Sequence, residues 1–246
     1  MKEYWDFDWE QMGTLDQPAQ IDHILKTTGQ KKIGAYIGHS EGTTQFFAGS
    51  VLKPKYFGET VSLYVSLAPV VRVDLGTSKM NAALAEMTPA ISWLLQRLKL
   101  WDIFPRNGTS QYMGYVCTLL KHTCSFLESG IWNFNPDVDN LSRVPDRAAH
   151  SPSGAGWRTL VHFGQMLEAK DFVRYNYGQA ENMKIYGRAT PPSYDLSLFP
   201  MPIAIFHGSL DSSASPQEVN WLVTESALPK ELIVHNQMLE FEHWSF

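Results

Sequence analysis

Gly38-His39-Ser40-Glu41-Gly42 fits the pattern G-x-S-x-G. In that pattern a serine stands at a sharp, strained turn from a strand into a helix, with Oγ projecting from the sheet edge. The two glycines are expected to let strand and helix approach closely. The chemistry such a turn serves is acyl transfer: the hydroxyl attacks a carbonyl carbon and forms a covalent ester once a base takes its proton. The partners are expected downstream in the order acid, then His. Ser209-Leu210-Asp211 follows an apolar run ending at Gly208, and Phe241-Glu242-His243-Trp244 comes near the end of the chain. Of eight His, only His243 lies beyond both Asp211 and the last strand-like run. His207 and His235 fall within strand patterns and read as structural. His39 lies inside the turn and is expected to pack beneath it. Glu240 and Glu242 are rival acids, but they are too close to His243 in sequence for the usual order. The expected roles are therefore Ser40 as nucleophile, His243 as general base and acid, and Asp211 as the group that orients and stabilises the imidazolium. The backbone N–H of Glu41 is the candidate oxyanion donor.

Such a site needs strands to carry it. Lys32-Ile33-Gly34-Ala35-Tyr36-Ile37-Gly38 is a short apolar run that reads as a buried strand delivering Ser40, with a helix from Glu41 to about Val51 behind it. Upstream, residues 16–28 read as an amphipathic helix. Asp16 is its expected N-cap, Pro18 sits near its first turn, Ile21, Ile24 and Leu25 recur at helical spacing, and Gly29 stops it. Strand patterns recur at Val61–Leu67, Pro202–Gly208 and Glu231–His235. This alternation predicts an α/β fold, a mostly parallel sheet with flanking helices. From about Val71 to Asp195 the chain is rich in Met, Trp, Phe and loop breakers, with helical patterns and no clear strand. It reads as an insertion. The expected organisation is a first core part at 1–70 with the serine turn, a helical cap at 71–195, and a second core part at 196–246 with the acid and His.

Composition narrows the alternatives. At 246 residues, 44% of them hydrophobic and 18% charged, the chain can bury one substantial core. A net charge of −5 and the lack of a basic stripe argue against nucleic acid as a partner. No run approaches the ~20 apolar residues of a membrane span. The N-terminus has no apolar h-region, so no signal peptide is expected in this chain. No Cys/His group has zinc spacing, and neither metal nor cofactor is expected. Cys117 and Cys124, the two cysteines, allow one local bridge or two buried thiols.

With the serine, acid and His placed, the chain resembles the acid lipase family, the gastric and lysosomal lipases of the α/β-hydrolase kind. The resemblance runs through Tyr4-Trp5-Asp6-Phe7, Asp16-Gln17-Pro18-Ala19, Gly38-His39-Ser40 and Leu67-Ala68-Pro69-Val70. It continues through Asn140-Leu141-Ser142-Arg143, His150-Ser151-Pro152-Ser153-Gly154, Pro202-Ile203-Ala204, Asp211 and His243. It implies a lipase that hydrolyses triacylglycerols or sterol esters through a Ser-His-Asp triad and an acyl-enzyme, with an apolar cap and no cofactor. The implied partners are a neutral lipid ester and the lipid–water interface; the implied location is secreted or lysosomal. Sequons at Asn107 and Asn140 suit glycosylation in such a compartment. The family carries Gln where this chain has Glu41, and its paired cap cysteines are spaced more widely than Cys117 and Cys124. The match also begins inside the family's catalytic domain and stops just after the His. By that expectation the chain is truncated at both ends, without the upstream strands, the His-Gly loop that gives a second oxyanion donor, or the closing helix. Two other functions follow as alternatives. One is a catalytically weak or inactive homologue acting as a lipid-binding or interaction protein; the other is another serine esterase or thioesterase of the same fold.

Overall fold

The computed structural model describes residues 2–76, 79–103, 108–120, 122–124, 138–151 and 153–246. Four strands form one parallel sheet in the order β1 (Tyr36–His39), β2 (Tyr64–Leu67), β5 (Ile203–Gly208), β6 (Ile233–Leu239). The class is α/β with flanking helices. β5 is apolar and buried along most of its length, as befits a strand with neighbours on both sides and helices over its faces. β1 is the outer strand, and its Ile37 is 65% exposed.

The strands are shorter at their starts than the apolar runs suggest. Ile33 makes only an isolated parallel bridge to Val61, and the ladder proper begins at Tyr36–Tyr64. The last strand instead runs further, to Leu239, because its pairing with β5 continues through Gly208–Leu239.

The helix before β1 starts earlier than Asp16. Asp8 is the N-cap: its side chain accepts from Glu10 N at 2.9 Å, while Gln11 Oε1 accepts from Asp8 N at 2.9 Å. Helix α1 (Trp9–Gln11) runs through a wide π turn, Met12–Asp16, into α2 (Gln17–Thr28). Asp16 is therefore already helical and caps nothing. Gly29, at φ 69°, ends α2 as the sequence predicts. The π turn packs onto α3 (Glu41–Leu52) through two glycines. A Cβ on Gly13 would lie 2.9 Å from Gly49 N, so only glycine lets these backbones touch.

After α3 comes α4 (Pro54–Thr60), and the core forms where α3, α4 and β2 meet. Phe46, Phe47, Phe57, Tyr64 and Phe199 pack there, with Phe46 stacked on Tyr64 at 4.1 Å between ring centroids.

Between β2 and β5 lie α5 (Lys79–Leu98), α6 (Gly108–Leu119), α7 (Val144–His150), α8 (Trp157–Ala169) and α9 (Gln179–Tyr186). This stretch is not wholly without strands: β3 (Asp102–Ile103) and β4 (Ala155–Gly156) pair antiparallel. Two residues apiece leave too short a pattern to read. Cys117, in the last turn of α6, is disulfide-bonded to Cys124, with Cα atoms 5.6 Å apart. Backbone turns from Leu120 to Val116 and from Cys124 to Leu120 fold the chain back far enough to close this bridge. Among the described residues no helix is long and apolar enough to cross a membrane.

Candidate active site

Ser40 sits between β1 and α3 with φ 55° and ψ −124°, a conformation that costs a non-glycine residue ~1–3 kcal/mol. Such strain persists only where the surroundings over-determine it, and here they do. Ser40 N donates to Leu67 O (3.1 Å), and Ser40 O accepts from Thr43 N (2.9 Å) and Thr43 Oγ1 (2.6 Å). Thr43 Oγ1 in turn accepts from Val70 N (2.8 Å), while Thr44 Oγ1 donates to Val70 O (2.6 Å). The segment after β2 is thus pinned to the first turn of α3, with Ala68 itself at φ 47°. Thr43 and Thr44 are fully buried supports that the sequence reading did not single out. Their signal was present: two hydroxyls in the first turn of a helix, where free backbone groups need partners.

Of the two motif glycines, Gly38 is the more tightly enclosed. A Cβ there would meet Gly42 O at 3.0 Å and the Tyr64 hydroxyl at 3.1 Å, whereas one on Gly42 meets nothing within 4 Å among the described residues. Strand and helix approach closely on the Gly38 side alone.

The other two candidates converge on Ser40. Asp211 follows β5 and is buried, with Oδ1 accepting from Ser213 N and Ala214 N, both at 2.8 Å. Its Oδ2 lies 2.8 Å from Nδ1 of His243, and Nε2 of His243 lies 2.7 Å from Ser40 Oγ. With Nδ1 donating to a carboxylate, Nε2 is left as the lone-pair nitrogen facing the hydroxyl. His243 is buried, while Ser40 is half-buried. The close approach depends on Gly208, where a Cβ would fall 2.1 Å from Phe241 O. Glu41 opens α3, so its N–H has no partner within the helix. Burial pushes its carboxyl above the usual carboxylate range, and Gln45 Nε2 donates to it at 3.2 Å.

His39 does not pack beneath the turn. It reaches across to the His243 main chain, its Nε2 lying 2.7 Å from the His243 carbonyl oxygen. His207 is buried on β5 and His235 is exposed on β6; neither touches Ser40. Asn140 is exposed and its side chain caps a short helical turn by accepting from Ser142 N at 2.9 Å; Asn107 lies outside the described residues. Among the described residues no group of His, Cys, Asp and Glu could hold a metal ion.

The chain is 32% identical to the lysosomal acid lipase/cholesteryl ester hydrolase of Macaca fascicularis over 99% of its own length, covering 60% of that protein. It is 33% identical to the gastric triacylglycerol lipase of Mus musculus, again over 99% of the chain and 61% of the relative. Its curated homologues are gastric and lysosomal acid lipases. The chain spans about 60% of their length. No protein-family model matches the chain. Among solved structures, a thermophilic esterase from Thermogutta terrifontis aligns with a TM-score of 0.45 and 14% identity, over 96% of this chain and 64% of that one.

A second polar cluster differs in character from the one at Ser40. Asp8 is fully buried. Its Oδ2 accepts from Arg158 at 2.8 Å, and its Oδ1 lies 3.7 Å from Nδ1 of His162. Burial alone would raise the Asp8 carboxyl; His162 and Arg158 together hold it below the usual range. The His162 ring stacks on Trp9 at 3.7 Å, and Nε2 of His162 donates to Val173 O at 2.9 Å. Next to it, Arg174 donates to Glu10 at 2.8 Å, and the Tyr194 hydroxyl donates to the same carboxylate at 2.8 Å. These pairs clamp α1 to α8 and the segment that follows it.

Proposed function

We propose that this chain is a serine carboxylic ester hydrolase acting on neutral lipid esters, triacylglycerols or sterol esters, through an acyl-enzyme on Ser40. One observation carries the reading: the hydrogen-bonded run from Asp211 through His243 to Ser40, ending at a strained serine that opens a helix. In the first step Ser40 Oγ attacks the ester carbonyl carbon while its proton passes to Nε2 of His243. Asp211, against Nδ1, steadies the imidazolium. The oxyanion is met by the N–H of Glu41 at the positive end of α3. The C–O bond to the alcohol then breaks, and His243 returns the proton to the departing alkoxide. Water enters, gives a proton to His243, and releases the fatty acid by the reverse sequence. No cofactor takes part.

The same reading makes residues 71–195 a cap over Ser40 that supplies an apolar wall. An acyl chain gains ~0.8 kcal/mol for each CH₂ buried, so long chains should be favoured. The likeness to a lysosomal acid lipase/cholesteryl ester hydrolase and a gastric triacylglycerol lipase supports lipid esters as substrate and a secreted or lysosomal setting, and such a substrate would be met at a lipid–water interface. The test is labelling with a fluorophosphonate, followed by hydrolysis of p-nitrophenyl esters from acetate to palmitate. Labelling of the wild-type chain, lost in Ser40→Ala, with a preference for long acyl chains supports the reading. No labelling of the folded wild-type chain overturns it, and a preference for charged, water-soluble or thioester substrates overturns its lipid part.

A further inference from the structure

We propose that His39 is a positioning residue for the base, holding the main chain of His243 so that its imidazole meets Ser40. The inference rests on the reading of Ser40, His243 and Asp211 as a triad. His243 stands in a turn beyond β6, outside any strand or helix, so no ladder holds its backbone. Neighbouring ties hold the turn at its start and within itself: Leu210 N donates to Phe241 O at 3.1 Å, and Ser245 Oγ accepts from Glu242 N at 3.2 Å. The main chain of His243 itself is gripped by His39, at 2.7 Å. His39 is well placed for this. It is the last residue of β1, in register with Leu67, and so is fixed by the sheet. It is also the residue next to the nucleophile. Adjacent residues of one strand end thus address the same His243, His39 its carbonyl oxygen and Ser40 its imidazole. The nucleophile and the anchor of its base cannot drift apart.

The partner dictates the tautomer. A carbonyl oxygen only accepts, so Nε2 of His39 carries the hydrogen. Burial pushes the His39 imidazole below the ordinary histidine range, so the bond is kept by a neutral ring. Three rings flank the His39 ring: His243 at 5.1 Å between centroids, Trp244 at 5.4 Å and Phe246 at 6.1 Å. Loss of the tie lets the turn move, and a displacement of about 1 Å at a reacting group can cost ~10²-fold in rate.

The experiment compares the 246-residue chain with its His39→Leu, His39→Gln and His39→Asn variants. Gln places an amide N–H near the position of Nε2, whereas Asn is too short to reach. Fluorophosphonate labelling reports deprotonation of Ser40, and ester hydrolysis separates kcat from KM. Expected are labelling rate and kcat lower by roughly 10- to 10²-fold in His39→Leu, KM changed less than threefold, and recovery of most of the rate in His39→Gln. Should His39→Leu not fold, the Gln and Asn variants decide: Gln faster than Asn supports the proposal, and equal rates overturn it. Labelling of folded His39→Leu at the wild-type rate also overturns it. If the wild-type chain itself is not labelled, the triad reading fails first, and the two failures remain distinct.

Discussion

The two polar clusters differ in how their charges end. Around Asp8 every charge is closed on an opposite one: Arg158 meets Asp6 and Asp8, and Arg174 meets Glu10. Around Ser40 the run of hydrogen bonds starts at one buried carboxylate and stops at a neutral, half-buried hydroxyl. The first arrangement closes its charges on one another; the second points a lone pair at a group that can lose a proton. Backbone geometry differs in the same sense. Asp8 caps a helix in an ordinary extended conformation, while Ser40 is held at positive φ. Buried charge closed on opposite charge holds the fold together, and buried polarity with one open, strained end is where chemistry is to be sought.

The largest effect should come from opening the second cluster. Ser40→Ala should abolish labelling and lower kcat by about 10⁶-fold. Asp211→Asn, which leaves the shape but mis-sets the His243 tautomer, should lower it by about 10⁴-fold. Steady-state kinetics would measure both, and melting temperatures near wild type would show that the loss is chemical.

Opening the first cluster should instead cost stability. Arg158→Met takes the ion-pair partner from the fully buried Asp8 carboxylate, which keeps the His162 ring and the Glu10 N–H, and a loss of about 3 kcal/mol in urea unfolding is expected. Adding Asp8→Asn should return much of it, since the stranded charge is then gone. The pH dependence has a definite sign. Asp8 has a depressed folded-state pKa, so the stability it contributes is present above the ordinary aspartate range and is lost as pH falls through its lowered folded value. Asp8→Asn should flatten the acid limb of the stability curve. An unchanged limb would mean that Asp8 is not held as described.

Gly208→Ala bridges the two kinds of effect. Its Cβ would meet the backbone oxygen of Phe241, which cannot move without moving the His243 turn. About 1–3 kcal/mol of destabilisation is expected, together with a fall in kcat that Gly13→Ala, remote from that turn, should not share. The smallest effect belongs to Glu41→Gln. Removing a carboxylate beside the developing oxyanion should raise kcat/KM roughly two- to tenfold at neutral pH. Because burial raises the Glu41 pKa, the gain should vanish as pH falls and the wild-type carboxyl takes up its proton. A gain equal at all pH values would show that charge is not the cause.

What could be read from the sequence was whatever neighbours in sequence decide. Gly29 ends α2 because left-handed backbone costs glycine little, and a short apolar run ahead of G-x-S-x-G announces a strand feeding a turn. The order of Ser40, Asp211 and His243 was legible for the same reason, as each follows its own strand pattern. What neighbours in sequence do not decide went unread. Asp16 passed for a cap because nothing local reveals that the helix has already begun at Asp8. The freedom at Gly42 and the tight fit at Gly13 and Gly208 depend on what packs opposite, which no motif records. The pairing of Asp8 with Arg158 joins residues 150 positions apart, and the tie from His39 to His243 joins residues 204 apart. Hydrogen bonds and contacts act over a few ångströms of space. Only the tertiary structure, by stacking parallel strands so that their ends meet, could set which distant side chains share that range.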